Sequence, residues 1–258
     1  MKRVNDLFRR LRRDQRCGLI AYVTCGDGDT VRIVEALEKA GADAIELGIP
    51  FSDPIADGPV IQAAAQRALQ NGTTTRDVFN IAAEIRKRSE IPLIAFSYLN
   101  PVLRYGTLRF ARDAAQCGLD ALLLTDLPPE SSAELRTAMH AETLGTIFLL
   151  APTSSAARIK AIDRATDGFV YYVSTTGVTG TRNDLDPALV TRLTEVRAQL
   201  KHPIAVGFGI SRHDHYQLLA PHCDAIVVGS AIVRAIAQGP REEAPARAAK
   251  IVQEILTD

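Results

Sequence analysis

The sequence predicts an α/β fold: a single (β/α)8 TIM barrel with an N-terminal capping helix and extra helices, one domain over residues 1–258. Three observations predict it. Short apolar runs rich in β-branched residues alternate with longer helical patterns, which implies a parallel sheet. Both faces of most of these runs are apolar, as strands covered on two sides require. Eight such units in 258 residues match the usual size of a closed barrel. An open doubly wound sheet is the rival reading of the same alternation.

The predicted strands are, in order, Leu19–Thr24, Asp43–Leu47, Pro92–Tyr98, Asp120–Thr125, Thr146–Leu150, Gly168–Ser174, Pro203–Gly207 and Asp224–Val228. Before the first, Val4, Leu7, Phe8 and Leu11 form one apolar stripe at helical spacing, and Arg9, Arg10, Arg12, Arg13 and Arg16 cover the rest. This reads as a helix plugging the N-terminal end of the barrel, with an anion-binding arm as the alternative. Between the first two strands, Val31, Val34, Leu37 and Glu38 mark a helix closed by Gly41. The stretch after the second strand is too long for one helix. It reads as two, residues 59–70 and 74–88, broken at Asn71-Gly72. A related phrase precedes three strands: AGADAIELG at 40–48, CGLDALLLTD at 117–126 and HCDAIVVGS at 222–230. It marks a repeated unit of helix, turn, aspartate and strand.

Composition narrows the function. Lysine and arginine number 30, as do aspartate and glutamate, so no net field draws nucleic acid or an anionic membrane. No apolar run reaches the roughly 18 residues of a membrane span. The start of the chain has no apolar signal core, and a cytoplasmic location is expected. Cys17, Cys25, Cys117 and Cys223 lack metal or disulfide spacing and read as buried thiols. His213 and His215 stand two apart, which does not suit helical ligands. No metal site is expected.

Barrel chemistry sits at the C-terminal ends of the strands. In the second strand, alternation turns Ile45 and Leu47 outward and Glu46 inward, between Ala44 and Gly48. An inward glutamate in an apolar barrel is costly unless paired or protonated. Burial would raise its pKa into the range of general acid–base work. A glutamate paired with a core arginine or lysine is the plainer alternative. IPFSDPIADGP follows at 49–59 and carries Asp53 and Asp57. Asp57 reads as a turn residue or as a second carboxylate over the same pocket. VGFGIS at 206–211 and VVGSAIV at 227–233 end two strands in glycine turns that open helices. Their free N–H groups and the helix dipole suit a phosphate. STTGVTGTRNDLDP at 174–187 is long for its place and reads as a lid or as a plain surface loop. These features describe a barrel enzyme acting on a phosphorylated small molecule.

The motifs are also specific. ELGIPFSDPIADGP at 46–59, YVTCGD at 22–27, STTGVTGTR at 174–182, GFGIS at 207–211 and GSAIV at 229–233 closely resemble the tryptophan synthase α chain family, in order over nearly the whole chain. The resemblance implies cleavage of indole-3-glycerol phosphate to indole and glyceraldehyde 3-phosphate, in tryptophan biosynthesis. It implies Glu46 as acid–base catalyst and Asp57 as acceptor of the indole N–H. It implies Tyr22, Phe96, Leu123, Tyr171, Thr179 and Phe208 around the substrate, and Gly180, Gly209, Gly229 and Ser230 at its phosphate. It further implies a β-subunit partner in an α2β2 heterotetramer, met through Asp53 and through proline-bearing turns at Asn100-Pro101 and Pro128-Pro129. This chain would carry no cofactor; pyridoxal phosphate is expected in the partner. Tyr22, Asp27-Gly28, Phe96 and Arg104 depart from residues usual in the family, which touches ring tolerance and partner choice more than activity. A stand-alone indole-releasing lyase, a silent barrel that only activates a partner, and a generic phosphate-binding barrel isomerase are the competing readings.

Overall fold

The structure is a computed structural model that describes residues 1–173, 188–207 and 209–257. Nine parallel segments form one sheet: β1 (Gly18–Thr24), β2 (Ala44–Gly48), β3 (Leu93–Ser97), β4 (Ala121–Leu124), β5 (Gly145–Ile147), β6 (Leu149–Leu150), β7 (Val170–Val173), β8 (Ile204–Gly207) and β9 (Ala225–Val228). The sheet runs β5-β4-β3-β2-β1-β9-β8-β7-β6. Its two ends, β5 and β6, are consecutive and separated only by Phe148, so the chain itself joins them. These are the eight predicted staves, the fifth one broken. The break keeps the alternation: Ile147 packs inside, Phe148 and Leu150 outside. The Phe148 amide donates to Thr166 Oγ1, and its carbonyl accepts from Tyr171 N. A closed barrel replaces the rival open sheet.

The helices described are α1 (Lys2–Arg13), α2 (Thr30–Lys39), α3 (Pro59–Gln70), α4 (Thr75–Arg86), α5 (Leu99–Tyr105), α6 (Thr107–Gln116), α7 (Ala133–Ala141), α8 (Ala156–Ala165), α9 (Ala188–Arg197), α10 (His213–Leu219), α11 (Ser230–Ala237) and α12 (Ala244–Leu256). The predicted pair after β2 is α3 and α4. Gly72 turns between them at φ +79°, and Thr74 with Asp77 forms a reciprocal cap on α4. In α2 the buried face is Thr30, Ile33, Val34 and Leu37, rotated slightly from the predicted one; Val31 is only partly buried. Asp29 caps this helix, and Gly41 leaves it at φ +110°. Gly28 sits at φ +101°, a value that proline cannot adopt. Neighbouring Asp27 is instead held by both arms of Arg67, at 2.8 and 2.7 Å.

Alternation along the strands sorts the core into two. Leu19, Ile45, Leu47, Leu93, Leu122, Val170, Ile204 and Ile226 face out to the helices. Ile20, Ala44, Ile94, Ala121, Ile147, Phe169, Ala205 and Ala225 face in, together with Val4, Leu7, Phe8 and Leu11 of α1. The N-terminal helix is therefore the barrel's floor. It docks closely because Gly18 and Gly145 lack side chains: a Cβ at either would overlap Leu11 or Met1.

The repeated aspartate has a structural office at this floor. Asp43 Oδ2 accepts from Leu19 N at 3.0 Å, Asp120 Oδ2 from Leu93 N at 3.0 Å and Asp224 Oδ2 from Ile204 N at 2.9 Å. Each aspartate thus fastens its own strand to the start of a neighbour. Arginines neutralise them: Arg16 on Asp43, Arg3 and Arg86 on Asp120, Arg197 on Asp224. Several predicted strands shorten accordingly, because these aspartates and prolines lead into the ladder without joining it. Asp120 is almost fully buried. Replacing it with alanine leaves the Leu93 amide without its acceptor and Arg86 without this counter-charge, though Arg86 keeps the carbonyls of Gly118, Ser89 and Ile91. Breaking a buried pair typically costs about 3–5 kcal/mol. Urea unfolding of Asp120→Ala should show a loss of that order. A loss below about 1 kcal/mol, the worth of one ordinary hydrogen bond, would deny the aspartate this role.

Candidate active site

One cavity opens at the C-terminal ends of the strands. About 490 Å³ of space, part of it open to solvent, is lined by Tyr22, Glu46, Asp57, Ile61, Phe96, Tyr171, Gly209, Ile210, Val227, Gly229 and Ser230. Its walls are built by alternation. Tyr22, Glu46, Phe96, Tyr171 and Val227 are inward residues of five strands, and Ile61 comes from the first turn of α3. Two glycines make room for the tyrosines. The Tyr22 hydroxyl lies against Gly48 and the Tyr171 hydroxyl against Gly207, and a Cβ on either glycine would overlap the phenol. Tyr22 meets Phe96 edge-on, ring centres 5.2 Å apart.

Glu46 is fully buried, and neither carboxylate oxygen has a hydrogen-bond partner among the described residues. Among the described residues no arginine or lysine pairs with it, against the plainer alternative. Burial alone pushes its pKa up to about 8. Asp57 stands over the same cavity. Burial raises its pKa to about 6, against the pull of a hydrogen bond donated by the Tyr98 hydroxyl to Oδ2 at 2.9 Å. Asp57 is thus more than a turn residue, although its amide does close a turn onto Pro54 O. The two carboxyl groups have different environments, one dry and unpartnered, the other hydrogen-bonded at the rim. Their pKa values are pushed apart, so near pH 7 one is mostly protonated and the other mostly ionised.

The part of the wall that follows β8 and β9 suits an anion. Gly229 immediately precedes α11, whose first N–H groups have no acceptor within the helix and start beside the cavity. Gly209 turns at φ +84° into Ile210 and lines the same wall. Among the described residues no group of three or more His, Cys, Asp or Glu is arranged to hold a metal.

Of the residues singled out in the sequence, Tyr22, Glu46, Asp57, Phe96, Tyr171, Gly209, Gly229 and Ser230 converge on this cavity. Leu123 faces the barrel interior below it, in register with Phe96, and does not line it. Thr179, Gly180 and Phe208, and the loop at 174–187, lie outside the described residues. Asp53 is exposed on the loop after β2. Asn100 and Pro101 do not form the expected turn: they sit in the first turn of α5, where a proline's missing N–H has no acceptor to lose. Pro128 is exposed, and Pro129 opens a short 3₁₀ turn at Pro129–Ser131. Ile61, Val227, Ile210 and Tyr98 were not anticipated. Strand parity carries the signal for two of them: Val227 alternates with Ala225, and Tyr98 follows Ile94 and Phe96 on one face.

Glu46 also fixes how stability depends on pH. Its folded pKa lies above the ordinary 4.5, so between about 4.5 and 8 the folded chain holds a proton that the unfolded chain has lost. That contribution to stability is complete below about 4.5 and is lost as pH rises to about 8. Glu46→Gln, always neutral, should be more stable than the parent at pH 8 by on the order of a few kcal/mol, with the gap closing toward pH 5. Urea midpoints across this range check it. A variant less stable at every pH would show that the carboxylate has a partner after all.

The comparisons with known proteins agree with this geometry. The profile of the family described as "Tryptophan synthase alpha chain" matches residues 8–257. A tryptophan synthase alpha chain of Solibacter usitatus is 51% identical over 247 residues, 95% of this chain and 92% of its own length. One from Citrifermentans bemidjiense is 48% identical over 237 residues, 91% of this chain and 89% of its own. Among solved structures, tryptophan synthase subunit alpha from Legionella pneumophila superposes with a TM-score of 0.88 at 35% identity, covering 98% of both chains. A chain of the tryptophan synthase α2β2 complex of Pyrococcus furiosus, described in terms of mutual activation, superposes with a TM-score of 0.87 at 40% identity, covering 93% of this chain and 97% of that one. With its barrel closed, its two carboxyl groups over one cavity and these similarities along nearly its full length, the chain belongs to the tryptophan synthase α chain family.

Proposed function

We propose that this chain cleaves indole-3-glycerol phosphate to indole and glyceraldehyde 3-phosphate, as the α subunit of a tryptophan synthase in the cytoplasm. One observation carries the reading: a fully buried glutamate, without a partner among the described residues and with its pKa raised to about 8, faces a cavity that a second carboxylate shares. The reaction is a retro-aldol cleavage and needs one proton placed and another removed. Protonated Glu46 delivers its proton to indole C3, and positive charge develops toward the ring nitrogen. Ionised Asp57 accepts the N–H and stabilises that charge. The Glu46 carboxylate then takes the proton of the C3′ hydroxyl. The C3–C3′ bond breaks, its electron pair returns to the ring, and the aldehyde leaves. Glu46 ends protonated, as it began, and a pKa of about 8 lets one group serve both steps.

Tyr22, Phe96 and Tyr171 give the indole ring flat apolar walls and keep water from Glu46. The N–H groups of α11 and the Gly209 turn receive the phosphate, with Ser230 beside them; Gly180, Thr179 and Phe208 complete the substrate site in this reading. Turnover of indole-3-glycerol phosphate by the purified chain tests the proposal directly. Glu46→Gln should lose at least 10²–10⁴-fold in rate, the usual worth of acid–base catalysis, while still binding substrate. Asp57→Asn should also fail. In the parent, kcat/KM should follow a bell with limbs near pH 6 and pH 8, since Asp57 must be ionised and Glu46 protonated. Near-normal turnover by Glu46→Gln would end this assignment.

A β-subunit partner completes the reading. Asp53, Asn100, Pro101, Pro128 and Pro129 lie in segments that follow β2, β3 and β4, on one rim of the barrel mouth. Large apolar side chains stand in solvent nearby: Ile55 is 78% exposed, Leu103 57% and Leu108 75%. Apolar surface of this kind at a barrel mouth fits a protein contact. Pyridoxal phosphate, in this reading, belongs to the partner. Docking there would order the loop that carries Asp57 and raise turnover without new catalytic groups. Titration with the β subunit of the same source should form a complex and raise the cleavage rate. A complex without a rate change, or no complex, would leave a stand-alone lyase.

A further inference from the structure

Tyr98 belongs to no role assigned so far, yet three elements meet on it. It is the last inward residue after β3 and sits at the N-cap position of α5. Its side chain is 3% exposed. The hydroxyl donates to Asp57 Oδ2 at 2.9 Å and accepts from the Ala56 amide at 3.0 Å. The ring lies against Phe51, centres 5.2 Å apart at 35°. Phe51 and Ala56 bracket the segment that bears Asp53 and exposed Ile55. One phenol therefore holds the loop after β2 by its beginning, by its backbone near the end, and by its carboxylate.

We infer that Tyr98 is the positioning residue for Asp57, and that it links α5 to the loop at 51–57. The link to a partner rests on the function proposed above. Its physical basis is that Tyr98 moves with the first turn of α5, where Asn100 and Pro101 lie, while its hydroxyl is fixed to Asp57. A contact that shifts α5 or seats the loop is felt at the carboxylate through two hydrogen bonds. Among the described residues, other ties on this loop are local: Ser52 Oγ to Asp53 Oδ2, Ile55 N to Asp53 O, Asp57 N to Pro54 O, and Gln62 Nε2 to Asp57 O and Pro54 O. None of them reaches α5. The Asp57 carboxylate shares the cavity with Glu46, and its charge is felt by the phenols of Tyr22 and Tyr171.

Tyr98→Phe keeps the ring, its burial and its contact with Phe51, and removes only the hydroxyl. Three measurements separate positioning from mere packing. Hydrogen exchange of the Ala56 amide should quicken at least about tenfold, since its acceptor is gone. With indole-3-glycerol phosphate, kcat should fall by about ten- to a hundredfold, the scale of one hydrogen bond to a charged group, with a smaller change in KM. The acidic limb of the kcat/KM profile should move to higher pH, because the bond that holds Asp57's pKa down is lost. Stimulation by the β subunit should shrink as well. If the parent chain does not cleave this substrate, the functional proposal fails, and the exchange rate alone still decides whether Tyr98 holds the loop. Unchanged exchange at Ala56, or an unchanged kcat and acidic limb in an active parent background, would overturn the inference.

Discussion

A buried carboxylate with no partner among the described residues is the constraint around which the mouth of this barrel is arranged. Glu46 cannot turn away, because β2 alternates and Ile45 and Leu47 must face the helices. It cannot meet water freely, because Tyr22, Phe96 and Tyr171 crowd the space above the inner core. Its one adjustment is to keep a proton at neutral pH. The cost of burial is therefore converted into acid–base capacity rather than neutralised by an ion pair. The small residues nearby follow from the same demand. Gly48 and Gly207 admit the two phenols that dry the site.

The opposite end of the barrel follows the reverse rule. There the carboxylates of Asp43, Asp120 and Asp224 are saturated by backbone amides and arginines. The division explains how the chain can enter β2 from a paired Asp43 and pass three residues later through Glu46, which has no partner among the described residues. Stability is gathered at the floor, and the destabilising group is placed where a substrate can meet it.

Much of this was legible in the sequence, for reasons that differ from residue to residue. Glu46 was legible because period-two alternation is rigid: once Ile45 and Leu47 face out, Glu46 has one direction left. The break between α3 and α4 was legible because Asn71-Gly72 needs a turn. The floor helix was legible from the stripe of Val4, Leu7, Phe8 and Leu11. Asp57 was ambiguous, since Asp-Gly serves turns and sites alike; only its burial and its bond from Tyr98 separate the two. Tyr98 itself was hidden because its role depends on a hydroxyl reaching a loop 41 residues earlier, which no local pattern records. The break at Phe148 was hidden too, because Thr146–Leu150 reads as an unbroken apolar run, and the kink arises from barrel closure. The repeated aspartate was visible as a motif but not as a fastening, since the amides that donate to it lie on the preceding strands.

The fastening by aspartates bears on how the chain is made. Each one ties strands close in sequence: Asp43 reaches back 24 residues to Leu19, Asp120 reaches 27 to Leu93, and Asp224 reaches 20 to Ile204. Neighbouring staves can therefore lock soon after each leaves the ribosome. Closure is another matter. Gly18 pairs with Ala225, so the free edge of β1 waits for almost the whole chain to emerge. Until then a row of unpaired amides on β1 is open to any other strand edge. The glycine wall at 229 belongs to the same late segment. A nascent chain thus gains its fastenings one by one, and its binding cavity only once β9 and Gly229 have emerged.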